Sequence, residues 1–327
     1  MKEFDATLMW SLSEKCNLNC DYCFNQERAH GEIKEIFIEK LLKTLKRSKK
    51  RYLIILSGGG EPFLVKNFIE LCEKLTKYYY VSVITNLTSN NIEEFAKKIS
   101  PSRIDNFVVS MHLKELSHKG LMGKFISNLN VLQKRGYNLM VTEVAYPGLI
   151  NGFKKYDKFI KQINCKLEFL PFFGDYKQKH YPESYTDKEL NFFGLKNNPK
   201  YSRIFQYNKL CNAGYNLAYV KPNGDIDICP WIPIKLGNIY EKINFRKSMV
   251  NCPVKFCSCP LNDSDYTHLF NKAINKTRFR VPLFMIDKCN FLEKVFISLD
   301  YKIGVFGTIL QKNYPQLYSL LKSIKNN

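Results

Sequence analysis

The sequence lacks any apolar run that approaches the ~20 residues needed for a membrane-spanning helix. Its first residues, MKEFDATLMWSL, contain no basic segment followed by a long apolar stretch, so we expect no signal peptide. Internal repeats and low-complexity tracts are absent as well. With 327 residues, 45% of them hydrophobic, the chain can bury a large core. We therefore expect a cytoplasmic protein with one large domain, or one domain and a smaller one.

Acidic residues are scarce relative to basic ones: 30 Asp and Glu stand against 50 Lys and Arg, giving a net charge of +20. Such a charge is typical of proteins that bind nucleic acid or another anion. It also results when lysines occupy solvated helix faces, as in EKLLKTLKR at 39–47. The lysines are scattered and no nucleic-acid-binding module is recognisable, so we favour the second interpretation.

Cysteines are abundant, and their distribution is uneven. Eleven cysteines without a secretion signal argue against a disulfide framework and for metal or redox chemistry. Three lie within residues 16–23 and five within residues 211–259, while Cys72, Cys165 and Cys289 are isolated. Two groups of thiols predict two metal sites.

Residues 6–171 alternate between strand-like and helix-like segments. Predicted strands cover 7–12, 52–57, 79–85, 105–112, 138–147 and 165–173, and predicted helices cover 35–46, 67–78, 91–99 and 123–136, the last ending at a capping Gly136. Crossover helices require parallel strands, and the nearly continuous apolar strands fit a parallel sheet covered by helices. The fold class predicted is therefore α/β, a partial or complete (β/α)6 TIM-like barrel with its chemistry at the carboxyl ends of the strands.

The composition divides the chain into four parts. Residues 1–173 form the predicted barrel, and the polar, aromatic and irregular residues 174–208 form a linker or a segment that covers the active site. Residues 209–262 form a small cysteine-rich domain with a β-hairpin whose turn is Pro222–Asp225. Residues 263–327 form a helical extension, with helical apolar spacing from 281 onward, that packs on the barrel or docks a partner or membrane.

The segment KCNLNCDYC places Cys16, Cys20 and Cys23 on the loop after the first predicted strand. Thiolates are the usual ligands of iron–sulfur clusters, four per cluster, so three thiols from one loop leave one iron without a protein ligand. Catalytic zinc sites use the same device, since their missing ligand is the place of the substrate. A zinc knuckle completed by a remote Cys or His, and a chance cluster, are the alternatives.

The pattern CxxxCxxC with the aromatic Tyr22 before its last cysteine, after the first strand of a β/α chain, resembles the radical S-adenosylmethionine (radical SAM) superfamily. The resemblance implies that Cys16, Cys20 and Cys23 hold a [4Fe-4S] cluster. It further implies that S-adenosylmethionine chelates the open iron, and that cluster reduction cleaves it to a 5′-deoxyadenosyl radical, which abstracts hydrogen from a substrate.

A second element supports this resemblance. SGGGEP at 57–62 ends the second predicted strand and is similar to the family's GGEP element, which contacts the amino group of S-adenosylmethionine. Glycines allow close backbone approach, and a carboxylate suits an ammonium group. The resemblance implies cofactor binding by these residues and by polar residues at later strand ends: Tyr22, Gly58, Gly59, Gly60, Glu61, Asn86 and Ser110. His112 and Glu143 lie near the ends of strands four and five, where they are candidate substrate or cofactor contacts.

The second thiol group is similar to the start of a SPASM or twitch extension of the same superfamily. Cys211, a hairpin bearing Gly224, and Cys229 follow that pattern, whereas the further cysteines of a complete SPASM domain are absent. One auxiliary [4Fe-4S] cluster is therefore expected, with Cys211 and Cys229 as the firmest ligands, Cys257 and Cys259 next, and Cys252 as a competitor. A structural zinc ribbon is the alternative.

The resemblance implies an oxidoreductase or maturase-type enzyme reduced by a partner such as flavodoxin or ferredoxin. Its substrate is a carbohydrate, another small molecule or a ribosomal peptide, and dehydrogenation, epimerisation and crosslinking are all open. Only 15 residues precede Cys16, which favours a small substrate or recognition by a separate protein. A redox-neutral outcome needs a thiol that returns a hydrogen atom, for which Cys289 is the candidate. The rival function is a non-catalytic iron–sulfur or zinc protein that binds nucleic acid.

Overall fold

A computed structural model describes residues 4–25, 35–182, 184–195, 202–205, 210–254, 256–257, 280–282, 314 and 316–317. In this part of the chain, no helix has both the length and the apolar character needed to cross a membrane.

The core of the molecule is a sheet in which six consecutive strands run parallel and neighbour one another in chain order. These strands are β1 Ala6–Ser11, β2 Tyr52–Ser57, β3 Tyr80–Thr85, β4 Ile104–Ser110, β5 Leu139–Val144 and β6 Leu167–Leu170. All six residues of β2 are buried, as expected for a strand covered on both faces. The predicted α/β class with a parallel sheet is confirmed, and every predicted strand end agrees to within three residues.

Helices connect the parallel strands: α1 Ile38–Arg47, α2 Phe68–Thr76, α3 Ile92–Lys98, α4 Leu113–His118, α5 Met122–Lys134 and α6 Asp157–Ile160. A further helix, α7 Asp187–Phe192, follows the last of them. Short 3-10 helices cover Pro62–Leu64, Pro101–Arg103 and Pro147–Tyr156. Gly136 ends α5 with φ +79°, as predicted for a capping glycine. The sequence did not predict α4, because its six residues are too few to display a helical period.

The predicted hairpin is present and continues the same sheet. Strands β11 Leu217–Val220 and β12 Asp225–Cys229 pair antiparallel, and β13 Ile232–Asn238 and β14 Lys242–Ile243 follow. Strand β11 pairs in parallel with the edge of β1 that β2 leaves open. The ten described strands of this sheet therefore form an open order that runs from β14 to β11, then β1, and then β2 to β6.

Residues 174–208 contain more regular structure than the sequence suggested. Strands β7 Gly174–Tyr176 and β8 Lys179–Tyr181 form a hairpin, and Thr186 is the N-cap of α7, in a capping box completed by Glu189. The remaining short strands are β9 Ser202–Phe205, β10 Leu210–Cys211, β15 Val250–Asn251, β16 Phe256–Cys257 and β17 Arg280–Pro282.

The predicted helical extension over 263–327 lies mostly outside the described residues. Where it is described, its start differs from the prediction. Strand β17 pairs antiparallel with β9, so the expected helix from 281 onward is wrong at residues 281 and 282. A backbone partner decides the conformation there, whereas the apolar spacing does not.

Candidate active site

The three thiols of the cysteine loop follow the carboxyl end of β1. Cys20 is buried, and Cys16 and Cys23 are half-buried. The backbone N–H of Cys23 donates to the carbonyl of Cys20 over 3.1 Å, which turns the chain between these two thiols. Burial is the largest cause that raises the pKa of the Cys16 and Cys20 thiols above the usual value, and the neighbouring thiols add to the effect.

The three thiols of this loop are the donor type that iron–sulfur clusters use. Among the described residues, no three His, Cys, Asp or Glu side chains lie close enough together to hold one metal ion. An iron–sulfur cluster binds each thiolate through a different iron, so its ligands are spaced more widely than those of one ion. Because thiolates are the binding form, loading this site would release the protons that burial keeps on the thiols.

The glycine loop, residues 58–60 after β2, packs against the start of the cysteine loop, the segment that carries residues 16–23. The backbone N–H of Gly60 donates to the carbonyl of Ser13 over 2.9 Å, and the N–H of Glu61 donates to the carbonyl of Lys15 over 2.8 Å. A methyl group on Gly60 would overlap the backbone of Lys15. The glycine at position 60 is therefore required by contact between two loops of the chain itself.

The two preceding glycines belong to the same contact. The N–H of Gly59 donates to the hydroxyl of Ser11 over 3.1 Å, and the Asn25 side chain donates to the carbonyl of Gly59 over 2.6 Å. A Cβ on Gly58 would lie 2.7 Å from the carbonyl oxygen of Gly60. Asn25 was not predicted, since a polar residue after the last cysteine carries no distinguishing signal.

The carboxylate of Glu61 is buried and fully engaged within the protein. Oε1 accepts from the Phe63 N–H over 3.1 Å and from the Thr85 hydroxyl over 2.7 Å, and Oε2 accepts from the Asn86 N–H over 2.8 Å. Burial, partly offset by these hydrogen bonds, raises the pKa of Glu61 to about 7. Glu61 thus connects the end of β3 to the glycine loop. The sequence predicted for Glu61 a contact with an ammonium group and did not predict these hydrogen bonds.

Tyr22 contacts both His112 and Glu143, the two residues that the sequence offered as candidate substrate or cofactor contacts. The Tyr22 hydroxyl lies 3.0 Å from Nδ1 of His112 and donates to Oε1 of Glu143 over 3.3 Å. Glu143 also accepts from the N–H of Leu113 over 2.7 Å, and His112 adopts the left-handed conformation with φ +48°. Burial raises the pKa of Glu143 to about 7 and lowers the pKa of His112 to about 4. These contacts tie the cysteine loop to the ends of β4 and β5.

Asn86 and Ser110 lie at the same edge of the sheet. Ser110 is the half-buried last residue of β4. Asn86 follows β3, and its side-chain amide donates to Sγ of Cys16 over 3.8 Å and to Oδ1 of Asn17 over 2.9 Å. The Thr88 hydroxyl donates to Oδ1 of Asn86 over 2.6 Å. Asn17 and Thr88 were not predicted, because loop polarity is their sole sequence signal.

Aromatic residues cover this edge. The ring centroid of Tyr146 lies 5.0 Å from that of Tyr22 and 4.8 Å from that of Tyr176 in β7. The fully buried Tyr185 donates its hydroxyl to the carbonyl of Ala145 over 2.6 Å and accepts from the N–H of Phe172 over 2.9 Å. The segment that begins at β7 is thereby fastened to the carboxyl end of β5.

A cavity of about 280 Å³ is lined by Cys211, Cys229 and Cys252 together with Trp231 and Arg246. We call it the second cavity, to distinguish it from the site at the cysteine loop. Strand β10 pairs with β15, with Cys211 opposite Val250; Cys252 directly follows β15, and Cys229 ends β12. The described cysteines form no disulfide. Cys252, which the sequence ranked last among the five candidate ligands, thus shares a cavity with the two ranked first.

Cys257 lies in β16, where it pairs with Ile204 of β9. Cys259 and the predicted hydrogen-atom donor Cys289 lie outside the described residues.

These features define an α/β protein whose parallel sheet carries a loop of three grouped thiols at its carboxyl edge. The Radical SAM superfamily matches this chain over residues 10–148, which include the cysteine loop, the glycine loop and the ends of β3 to β5. The chain therefore carries a radical SAM domain, and the family resemblance of the sequence is confirmed. The family implies a [4Fe-4S] cluster and S-adenosylmethionine as its cofactors.

Relatives and solved structures agree with this domain. A probable GTP 3′,8-cyclase of Methanococcus maripaludis (strain C7 / ATCC BAA-1331) is 25% identical over 236 residues, covering 67% of this chain and 77% of that protein. A cysteine-type anaerobic sulfatase-maturating enzyme of Clostridium novyi (strain NT) is 26% identical over 218 residues, covering 58% and 57%. The solved structure of native anSMEcpe with bound AdoMet has a TM-score of 0.54 at 19% identity, covering 97% of this chain and 99% of that chain. The last similarity supports the fold.

Proposed function

We propose that this protein is a radical SAM oxidoreductase or maturase-type enzyme whose cluster is held by Cys16, Cys20 and Cys23. The observation that carries the proposal is the grouping of three thiols on one loop, clamped to the glycine loop at the carboxyl edge of the sheet. When bound, the [4Fe-4S] cluster supplies the electron that cleaves S-adenosylmethionine to a 5′-deoxyadenosyl radical, which takes a hydrogen atom from the substrate.

The residues of this chain would position the cofactor at that edge. Tyr22, the three glycines at 58–60, Glu61, Asn86 and Ser110 all lie on or just after the carboxyl ends of β1 to β4. Parallel α/β sheets bind ligands outside this edge, which supports a shared cofactor site. The aromatic segment, residues 174–195, is held to the end of β5 by Tyr185 and would exclude water from the cofactor site. Exclusion of water protects a reactive intermediate.

The second cavity is proposed to hold one auxiliary [4Fe-4S] cluster. Cys211, Cys229 and Cys252 support this assignment, and Cys257 or Cys259 would supply a fourth thiolate. Arg246 lines the same cavity, where its positive charge would offset that of the thiolates. These residues would hold a cluster that supplies a one-electron oxidant for a substrate radical; loss of that electron and of a proton from the substrate corresponds to dehydrogenation or crosslink formation. If the outcome is redox-neutral, Cys289 is the proposed hydrogen-atom donor.

Two substrate classes follow from the relatives. The sulfatase-maturating enzyme, by its name, acts on a protein, and anSMEcpe has also been solved with a bound peptide over nearly the same share of this chain. The GTP 3′,8-cyclases, by their name, act on a nucleotide. We favour a ribosomal peptide and keep a carbohydrate or other small molecule as the second class. A flavodoxin or ferredoxin would supply the electron.

The test is anaerobic reconstitution with iron and sulfide, followed by addition of S-adenosylmethionine and dithionite. We expect about eight iron atoms per chain if both sites load, and release of 5′-deoxyadenosine. Cys16→Ala should abolish the release, whereas Cys165→Ala, at a half-buried thiol that precedes β6, should not. A wild-type protein that loads iron and binds nucleic acid without releasing 5′-deoxyadenosine would support the non-catalytic alternative instead.

A further inference from the structure

We propose that Asn86 is a positioning residue for the cluster, because its side-chain amide hydrogen-bonds the sulfur of Cys16 and raises the reduction potential. The inference rests on the proposed function, since it assumes a cluster on the cysteine loop. It assigns Asn86 a contact with the protein ligand of the cluster, in addition to the predicted contact with S-adenosylmethionine.

The direction of the Asn86 amide follows from its neighbours. Oδ1 of Asn86 accepts from the backbone N–H of Thr88 over 3.1 Å and from the Thr88 hydroxyl over 2.6 Å. Both partners are donors, so the oxygen of the amide must face Thr88. Nδ2 then faces the opposite way, toward Sγ of Cys16 at 3.8 Å and Oδ1 of Asn17 at 2.9 Å.

Asn17 completes a closed set of contacts. Its own Nδ2 donates to the hydroxyl of Thr88 over 2.7 Å, so its Oδ1 is the acceptor that faces Asn86. Donors and acceptors around the ring Asn17–Asn86–Thr88 match without conflict. Exchanging the oxygen and nitrogen of either amide would set donor against donor.

The backbone beneath this ring is fixed from the other side. Glu61 accepts from the N–H of Asn86 over 2.8 Å and from the hydroxyl of Thr85 over 2.7 Å. Asn86 itself is 4% exposed and Glu61 is 2% exposed. The buried carboxylate of the glycine loop therefore holds the residue whose side chain meets Cys16, and so connects the two sequence motifs physically.

A hydrogen bond to a ligand sulfur stabilises the more negative, reduced state of an iron–sulfur cluster. The Cys16 sulfur also accepts from the backbone N–H of Leu18 over 3.4 Å, a contact that any residue at position 18 except proline would keep. Substitution of Asn86 therefore removes the side-chain hydrogen bond to this sulfur and leaves the backbone hydrogen bond in place.

The test is a redox titration of the reconstituted full-length protein without S-adenosylmethionine, followed by electron paramagnetic resonance. The signal of this cluster is assigned by its loss in Cys16→Ala, which separates it from any second cluster. In Asn86→Ala we expect the ratio of reduced to oxidised cluster at a fixed potential to fall at least threefold. This fold-change corresponds to ~28 mV for one electron at 59 mV per tenfold. Asn86→Asp should lower the ratio further, because it adds negative charge beside the sulfur.

Thr88 supplies a test that leaves Asn86 in place. Thr88→Val removes the hydroxyl but keeps the backbone N–H that also bonds to Oδ1 of Asn86, so it should shift the potential in the same direction by less than Asn86→Ala. Thr88→Ser keeps the hydroxyl and should leave the potential at the wild-type value. Asn67→Ala removes a half-buried amide that bonds to the backbone of Ile36, so it controls for general destabilisation.

The outcomes separate the two proposals. An unchanged potential in Asn86→Ala and Asn86→Asp, with the cluster present, would overturn the inference and leave the proposed function standing. An equal shift in Asn67→Ala would also overturn it. Wild-type protein without a cluster that depends on Cys16 would overturn both.

Discussion

Gly60 and Lys15 are in backbone contact: the chain at Gly60 lies against the carbonyl of Lys15, and the adjacent N–H of Glu61 donates to that carbonyl over 2.8 Å. The contact joins the loop of three thiols to the loop that ends β2. This contact explains why position 60 of SGGGEP is a glycine, because a side chain there would push the two loops apart.

Gly60→Ala is therefore expected to displace the cysteine loop. Overpacking of this kind costs ~1–3 kcal/mol in the free energy of unfolding and separates Cys16 from its neighbours. We expect iron loading to fall by about four atoms per chain, measured after anaerobic reconstitution.

Gly123 provides the matched control for this substitution. It is the second residue of α5 and has open space where a Cβ would be, so Gly123→Ala should leave both iron loading and the fold unchanged. Equal iron loading in Gly60→Ala and wild type would contradict the assigned role of Gly60.

The sequence predicted this region well where the signal was local. The six parallel strands were recognisable from short apolar runs, and the cysteine loop and SGGGEP from residue spacing. The partners of Glu61 were not, because Thr85 and Asn86 meet it only once β2 and β3 lie side by side. The carboxylate was expected to contact an ammonium group, and that expectation did not include its hydrogen bonds within the protein.

Long-range pairing explains the other differences. Nothing in the hairpin at 217–229 indicates that β11 pairs with β1, since a strand's partner depends on the whole sheet. Likewise, Cys252 was ranked below Cys257 and Cys259 on spacing alone. The two-residue ladder between β10 and β15, which pairs Cys211 with Val250 just before Cys252, is too short to predict from periodicity.

Glu143 is expected to make stability fall with rising pH. Its pKa is raised from 4.5 to about 7 by burial, so between these values the folded state keeps a proton that the unfolded state has lost. Stability contributed in this way is full below about pH 4.5 and declines through about pH 7. In Glu143→Gln this contribution to the slope disappears.

The measurement is urea unfolding of wild type and Glu143→Gln between pH 5 and pH 8. We expect the variant to be less stable than wild type at the lower pH, because one hydrogen bond to Tyr22, Leu113 or Val144 is lost, and the deficit to shrink as pH rises. His112, whose pKa is lowered to about 4, gives both proteins the opposite slope, which cancels in the comparison. The exposed Glu70→Gln serves as control, and a constant difference across this range would contradict the prediction.

Cys252→Ala tests the second cavity. Because Cys252 shares that cavity with Cys211 and Cys229, its loss should remove about four iron atoms per chain while 5′-deoxyadenosine release from the first site continues. Iron content and S-adenosylmethionine cleavage are measured on the same preparation.

Cys72→Ala is the control for that substitution, since Cys72 lies in α2, is fully buried in the hydrophobic core and lines neither site. It should lower stability by ~1–2 kcal/mol through the lost sulfur contacts, with iron content unchanged. If Cys252→Ala keeps the wild-type iron content, Cys252 is not a ligand and the spacing-based choice of Cys257 and Cys259 is favoured.

Tyr185→Phe is expected to loosen the aromatic segment without unfolding the sheet. The Tyr185 hydroxyl is buried and bonds to the backbone of both Ala145 and Phe172, so its removal leaves a carbonyl and an N–H without this partner. Such a loss costs ~1–3 kcal/mol. Because these bonds fasten residues 174–195 to the end of β5, we expect faster amide hydrogen exchange in that segment and unchanged exchange in β1 to β4.

Tyr215→Phe, at a side chain with 38% exposure, should change neither. Exchange that rises equally in β2 and in α7 would mean that Tyr185 supports the whole fold rather than the cover of the active site.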